Sequence, residues 1–331
     1  LSANTTATAN TALGRLAMQL NTTGAYNTGS GALALQVNTT GAYNTALGAL
    51  ALDANTTASY NTAIGYNSLS ANTTGALNTA VGSAALNANT VAANNTAVGG
   101  GSLQNDTTGA QNTAVGANAA TQITSGNNNS TLGFETLYSA TTAADNALLG
   151  YRAGYGITTG TNNVAAGSNI TTGQGNVCIG HNAGDNITTG SNLIVIGDGA
   201  DASSATGSND ITLGNSSIGT LRCQVQTISG LSDARDKTNI VDIEDGLDLI
   251  NLLKPRKFTW AMRKPSANNG TTHLGFIAQE LDEVIGDKND YMHLVDKVNP
   301  DRLEASYSRL IPILTKAIQE LSTKVTALQA A

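Results

Sequence analysis

The sequence predicts a mainly β chain: a trimeric β-solenoid shaft of 17-residue repeats, followed by a small α+β domain that ends in a coiled-coil helix. Three observations predict it. Asn-Thr pairs recur every seventeen residues with a glycine four positions after each Asn. The composition breaks abruptly near residue 231. The last thirty residues place apolar side chains at alternating spacings of four and three. The expected organisation is a shaft over residues 1–216, a connector over 217–231 and a second domain over 232–331, with the coiled coil at about 301–331.

The ruler is strict. Asn-Thr opens at Asn10, Asn27, Asn44, Asn61, Asn78, Asn95 and Asn112, and the paired glycines are Gly14, Gly31, Gly48, Gly65, Gly82, Gly99 and Gly116. The glycine register runs on through Gly133, Gly150 and Gly167, takes one thirteen-residue step to Gly180, and resumes at Gly197 and Gly214. A second Asn column lies at Asn4, Asn21, Asn38, Asn55, Asn72 and Asn89, with Asp106 in the next place. Each unit reads N-T-A-V-G-x-x-A-L-x-x-N-T-T-G-A-x. It offers two short strand-like pieces, NTAVG and xxALxx, separated by Gly and Asn, which enter tight turns at least cost.

Seventeen residues cannot form a domain, but they can form one turn of a solenoid. Stacked turns pair their strands along the axis and align identical Asn side chains in ladders; thirteen glycine positions predict a rod about 60 Å long. The expected apolar positions are Ala12, Val81, Val98 and Val115 after Asn-Thr, and Met18, Leu35, Leu52, Leu69, Leu86 and Leu103 four residues past the glycine. So thin a coil buries little surface per residue, so several chains side by side are expected, a trimer being the natural fibre. Strict periodicity favours turn ladders over glycosylation acceptors for the N-x-T matches.

Composition limits the function. Residues 1–231 hold three basic side chains (Arg15, Arg152, Arg222), no lysine and eight acids, whereas the remainder holds thirteen basic and fifteen acidic ones, all four prolines and Trp260. A net charge of −7 without clustered Lys and Arg argues against nucleic-acid binding. Cys178 and Cys223 lack partners at ligand spacing, so neither a disulfide framework nor a metal site is expected, and no cofactor is expected. The acid-rich string at residues 198–210 lacks the spacing of a calcium loop. His181, His273 and His293 read as surface or satisfied core residues. No apolar run approaches the roughly 18 residues of a membrane span. Leu1 opens in mid-repeat, so a leader or attachment domain is expected upstream.

Beyond Ile240 the pattern turns globular. NIVDIEDGLDLINLLKPRKFTW reads as a strand or loop, then a short helix with Ile243, Leu247, Leu249, Ile250, Leu252 and Leu253 on its apolar face, then a strand ending at Trp260. HLGFIAQELDEVI is a second strand-to-helix passage, with Phe276, Ile277, Leu281 and Ile285 for packing. In the last segment Leu303, Tyr307, Leu310, Leu314, Ala317 and Leu321 form the expected coiled-coil seam, continued with a slip by Val325 and Leu328. Pro312 suits a kink or a first helical turn.

On these residues two resemblances appear. The N-T-A-x-G-x-x-A-L units over residues 4–216 resemble repeats of bacteriophage and marine-microbe fibre proteins and, more loosely, the head repeats of trimeric autotransporter adhesins. SDARDKTNI, LKPRKFTW, LGFIAQEL and YSRLIPILTKAIQEL, in that order over residues 231–331, resemble the C-terminal intramolecular chaperone of endosialidase-type phage tailspikes. That domain is also found in other phage fibres and in a membrane-bound animal transcription factor. The resemblance implies a domain that trimerises, guides folding of the preceding β-structure and then cuts itself off with a Ser-Lys dyad. The family's serine and lysine fall on Ser232 and Lys237, which puts the cleaved bond between Leu231 and Ser232.

The chemistry is sound on its own terms. A serine hydroxyl is a poor nucleophile until a base takes its proton, and lysine is that base only when neutral. Burial and nearby positive charge both favour the neutral amine; Arg235 could supply the charge. Asp233 and Arg235 are supporting candidates, and Asp233 or Asp236 could orient Arg235 or Lys237. Attack on Leu231 as an acyl shift and direct hydrolysis both fit.

The function expected is therefore that of a phage tail fibre or tailspike segment, a homotrimer in the virion tail whose chaperone departs by autoproteolysis as a single-turnover serine peptidase. The alternative is a bacterial or microalgal cell-surface adhesin or structural fibre with the same processing domain. A host-cell surface glycan or protein is the receptor class such a fibre would meet. A glycan-degrading activity is not expected, because paired carboxylates beside aromatic platforms are missing from the shaft sequence.

Overall fold

In the computed structural model the chain divides into two compact units, Leu1–Asn215 and Ser216–Ala331. The structure describes residues 1–167, 173–218, 221–222, 232–261, 269–299, 301 and 303–330.

The first unit is a parallel β-solenoid. Thirteen three-residue strands, β1 (Thr11–Leu13) through β13 (Ile211–Leu213), form one sheet in sequence order, each pairing with the next. The register steps by seventeen residues, as in Thr45↔Thr62 and Thr62↔Thr79. Between β10 (Val164–Ala166) and β11 (Val177–Ile179) it steps by thirteen, Val164↔Val177, where the glycine ruler shortens. Twelve inter-strand steps of ~4.8 Å make the solenoid about 58 Å long.

The glycine column is demanded by contact between coils as well as by the turn. Gly48 has φ +137°, and a Cβ there would lie 2.4 Å from the carbonyl oxygen of Gly65 in the next coil. No L side chain fits that position.

The second strand-like piece, xxALxx, is not a strand. It is a run of turns in which Leu35, Leu52, Leu69 and Leu86 adopt φ of 50–51°. The left-handed backbone lets the amide of Leu35 donate to Ala51 O in the next coil (3.0 Å) while its side chain is fully buried. Burial and the inter-coil bond offset the one to three kcal/mol that such a conformation costs a branched residue. Met18, Leu35, Leu52, Leu69, Leu86 and Leu103 thus form the core column expected of them.

The apolar positions expected after Asn-Thr fall in two columns, Ala12 in the middle of its strand and Val81, Val98 and Val115 at the end of theirs. From β2 to β12 the middle residue of each strand is the buried one, as at Ala46, Ala63, Ala80, Ala97 and Ala114, and Val81, Val98 and Val115 face outward, half-buried. Side chains alternate across a strand, so in a three-residue strand only the central one enters the coil. The outward column reads Leu13, Ser30, Leu47, Ile64, Val81, Val98, Val115, Leu132, Leu149, Ala166, Ile179, Ile196, Leu213, an apolar stripe along the whole sheet.

Both Asn columns are buried ladders. In the first, Asn61 Oδ1 accepts from the amide of Asn78 (2.9 Å) and Asn61 Nδ2 donates to Gly75 O (2.9 Å). In the second the side chains bond each other, Asn38 Nδ2 to Asn21 Oδ1 at 2.7 Å and Asn55 Nδ2 to Asn38 Oδ1 at 2.8 Å. Every such bond satisfies a polar group that burial would otherwise leave without a partner.

The second unit contains α1 (Leu247–Leu252), the antiparallel pair β14 (Arg256–Thr259) and β15 (Thr272–Gly275), α2 (Ala278–Ile285), α3 (Asn289–Met292), the short pair β16 (Val295–Asp296) and β17 (Glu304–Ala305), and α4 (Leu310–Gln329). Its core gathers Leu249, Leu253, Leu281, Ile285, Met292, Leu294, Val295, Leu310 and Ile313. Pro312 sits in the first turn of α4, where its missing N–H costs nothing.

The seam of α4 differs from the expected one. Leu310 and Ala317 are buried with Ile313 against the domain's own core, and Leu303 and Tyr307 precede the helix. The exposed apolar face is Ile311, Leu314, Ile318, Leu321, Val325 and Leu328, alternating by three and four without a slip. Leu314, Leu321, Val325 and Leu328 of the expected seam lie on this face; the helix begins at Leu310, and Ile311 and Ile318 stand in it where Leu310 and Ala317 were expected.

Candidate functional site

The charged nonapeptide folds around a single 3-10 turn, Ala234–Asp236. Asp233 is its N-cap, accepting the amide of Arg235 on Oδ1 at 2.9 Å, and the amide of Lys237 closes the turn on Ala234 O at 3.2 Å. One such turn returns residue 237 to residue 232. Lys237 Nζ donates to Ser232 Oγ at 2.6 Å and to Ser232 O at 3.1 Å. The structure therefore brings the two sequence-nominated side chains into direct contact. Leu231, the other half of the nominated bond, lies outside the described residues, as does Cys223.

Asp233 and Arg235 engage each other rather than the dyad. Arg235 Nε lies 3.0 and 3.1 Å from the two carboxylate oxygens, and Nη2 lies 2.5 Å from Oδ2. The guanidinium, followed by the Arg235 amide, holds the Asp233 carboxyl below the usual carboxylate range, and the carboxylate in turn raises Arg235. The positive charge expected to favour a neutral Lys237 is thus neutralised by its neighbour. Burial, the other cause, is not supplied within one chain: Ser232 to Lys237 are all exposed.

Three other acids of the second unit, Glu320, Glu280 and Asp245, tie its elements together. Glu320 of α4 reaches α1 and accepts the amide of Leu247 on Oε2 at 2.8 Å, capping a helix that opens on Gly246 and has no side-chain cap of its own. Sequence reasoning missed this residue. The two groups are 73 residues apart, and the one local signal was a glycine where a cap is usual. Arg256 of β14 pairs with Glu280 of α2, and Asp245 takes hydrogen bonds from Lys288 and the Tyr291 hydroxyl. The Asp245 carboxylate, as hydrogen-bond acceptor, pushes the Tyr291 hydroxyl up to about 12. Among the described residues no group of three or more His, Cys, Asp or Glu side chains is placed to hold a metal ion. Among them, too, no helix is long and apolar enough to cross a membrane.

Residues 232–289 match the family model described as chaperone of endosialidase. The match opens on Ser232 and takes in α1, β14, β15 and α2. A 60-residue stretch is 48% identical to "Uncharacterized protein VP1" of Micromonas pusilla reovirus (isolate Netherlands/2005), covering 18% of this chain and 3% of that protein. No solved structure matches the chain.

Proposed function

We propose that this chain is part of a viral tail fibre or tailspike: a shaft of three solenoids whose C-terminal unit brings the chains together and then releases itself by cutting between Leu231 and Ser232. The observation that carries the reading is the 2.6 Å contact of Lys237 Nζ with Ser232 Oγ, at the first residue of the segment that matches the chaperone family. The viral relative favours a virion over a cell surface.

In the proposed step neutral Lys237 takes the hydroxyl proton as Ser232 Oγ attacks the Leu231 carbonyl carbon. The bond from that carbon to the Ser232 nitrogen breaks as the nitrogen receives the proton, leaving an ester on Oγ that water hydrolyses. Direct attack by water assisted by both Ser232 and Lys237 gives the same products. A single chain leaves the segment exposed with Arg235 committed to Asp233, so the reading has the dyad act only once neighbouring chains enclose it. Cleavage then follows assembly, and loss of the assembling domain makes the finished shaft hard to take apart.

Two surfaces support side-by-side chains. The outward column of the solenoid sheet leaves Leu13, Leu47, Leu132, Leu149, Ile179 and Leu213 exposed along its length, and contiguous exposed apolar surface marks an interaction site. The exposed face of α4 is a heptad seam with Ile311, Ile318 and Val325 at a and Leu314, Leu321 and Leu328 at d. In an isolated parallel coil that composition favours two strands, so the number three rests on the resemblance and the shaft rather than on this seam.

The test is expression of the chain followed by intact mass, N-terminal sequencing and light scattering. The expected result is a trimer-mass shaft and a released fragment beginning at Ser232, both fragments absent in Ser232→Ala. A wild-type trimer that stays whole, or a Ser232→Ala variant that is cut at the same bond, overturns the reading.

A further inference from the structure

The second Asn ladder ends on a carboxyl group. From Asn38 to Asn89 each rung repeats two bonds: Nδ2 donates to Oδ1 of the rung before and to the carbonyl three residues on. The seventh place in the column, seventeen residues past Asn89, is Asp106, and the place after that is Ile123, fully buried. Asp106 is itself fully buried. It accepts the Gly109 amide on Oδ1 at 2.7 Å and Asn112 Nδ2 on Oδ2 at 3.4 Å.

A carboxylate has no hydrogen to offer the rung before it, and Asn89 Oδ1 is buried without a partner. Asn89 cannot turn its amide to present N–H to Asp106, because that same Nδ2 is held by Ala92 O at 3.1 Å and by Asn72 Oδ1 at 2.9 Å. Nor is there a cation. Apart from Asp106, residues 54–134, which include the coils on both sides, contain Tyr60 and Tyr66 as their ionisable side chains and no Lys, Arg, His or Glu. An ionised carboxylate here would be a buried charge without a counter-ion, facing an unpaired oxygen.

We propose that Asp106 is carried in the folded shaft as the neutral carboxylic acid, donating its proton to Asn89 Oδ1 in place of the missing amide, so that this rung opens when the proton leaves for solvent. One proton thereby satisfies both groups at once. Burial, the largest cause, raises the carboxyl from 3.8 to about 7, opposed by its bonds to Gly109 and Asn112. The group thus binds its proton more tightly folded than unfolded. Its stabilisation is full below pH ~3.8 and is lost as pH rises through about 7. The shaft is therefore tightest in acid and has a soft rung near its middle in mild alkali.

Asp106→Asn tests this in the full chain, since the amide restores the donor without titrating. Amide hydrogen exchange around residues 103–112, expressed as the ratio of wild type to Asp106→Asn, cancels the intrinsic pH dependence of exchange. The expected ratio of opening rises roughly fiftyfold between pH 5 and pH 7 and then levels off, from the shift of 3.8 to about 7. A ratio independent of pH overturns the proposal. Should the variant fail to fold, infrared difference spectra of the wild type decide it: a protonated-carboxyl band at pH 5 that disappears by pH 8 supports the proposal, and carboxylate bands alone at pH 5 overturn it.

Discussion

Lys237 Nζ lies 2.6 Å from Ser232 Oγ across one 3-10 turn capped by Asp233. That contact ties the proposed chemistry to a proton acceptor, which charge alone cannot replace. Lys237→Arg keeps the positive charge but carries a group that stays protonated in proteins. Cleavage is expected to slow by about 10²–10⁴-fold, followed as loss of full-length chain on denaturing gels. A variant cut at the wild-type rate would remove the lysine from the reaction.

Asn61 joins three coils. It receives no help from solvent, being fully buried, and its side chain serves the amide of Asn78 and the carbonyl of Gly75. Asn61→Ala leaves the Asn78 amide buried and unpartnered, whereas Gly75 O keeps Asn72 Nδ2 at 2.9 Å, so the cost is about 1–3 kcal/mol per chain. Denaturant unfolding of an uncleavable shaft would show it, with Thr5→Ala, an exposed position at the first coil, expected to change stability by under about 0.5 kcal/mol.

Glu320 ties the C-terminal helix to α1 by capping Leu247. A cap lost is worth about 1 kcal/mol, so Glu320→Ala should lower the stability of the second unit by that amount. Glu320→Gln, which keeps an acceptor oxygen, should recover most of it. Equal losses in the two variants would show that charge rather than capping is what matters.

The exposed face of α4 predicts where assembly is weak. Ile318→Asp and Leu321→Asp change residues that no described side chain of the same domain covers, so helix content by circular dichroism is expected to persist while the assembled mass falls towards that of one chain. The equivalent change at Ile313, in the domain's own core, should instead unfold the unit. An Ile318→Asp variant that keeps the full assembled mass would place the interface elsewhere.

Much of this was legible in the chain because a repeat writes its own contacts. Gly48 and Gly65 are seventeen residues apart, and the same interval is the distance between coils, so counting glycines counted strands, including the short step at Gly180. Ser232 and Lys237 were nominated by the resemblance of SDARDKTNI to the chaperone family, and the turn that joins them is local and capped by Asp233, so the pair travels as one short motif. Glu320 was not legible, because its partner Leu247 has no fixed spacing from it. The seam of α4 was legible at Leu314, Leu321, Val325 and Leu328 but not at Leu310 and Ala317, because two apolar faces share one helix and spacing alone does not say which one the domain keeps.

The sequence by itself determined the solenoid, its number of coils and its buried Asn columns, since each depends on residues recurring at a single interval. Tertiary structure alone decided which strand residues face inward, that the Leu35 column lies in left-handed turns, which side of α4 stays bare, and that Asn89 Oδ1 is buried beside the one carboxyl of its column with no amide to meet it. Those outcomes depend on which groups remain unsatisfied after every neighbour is in place. That accounting is made in space, between coils and helices that the order of residues does not place side by side.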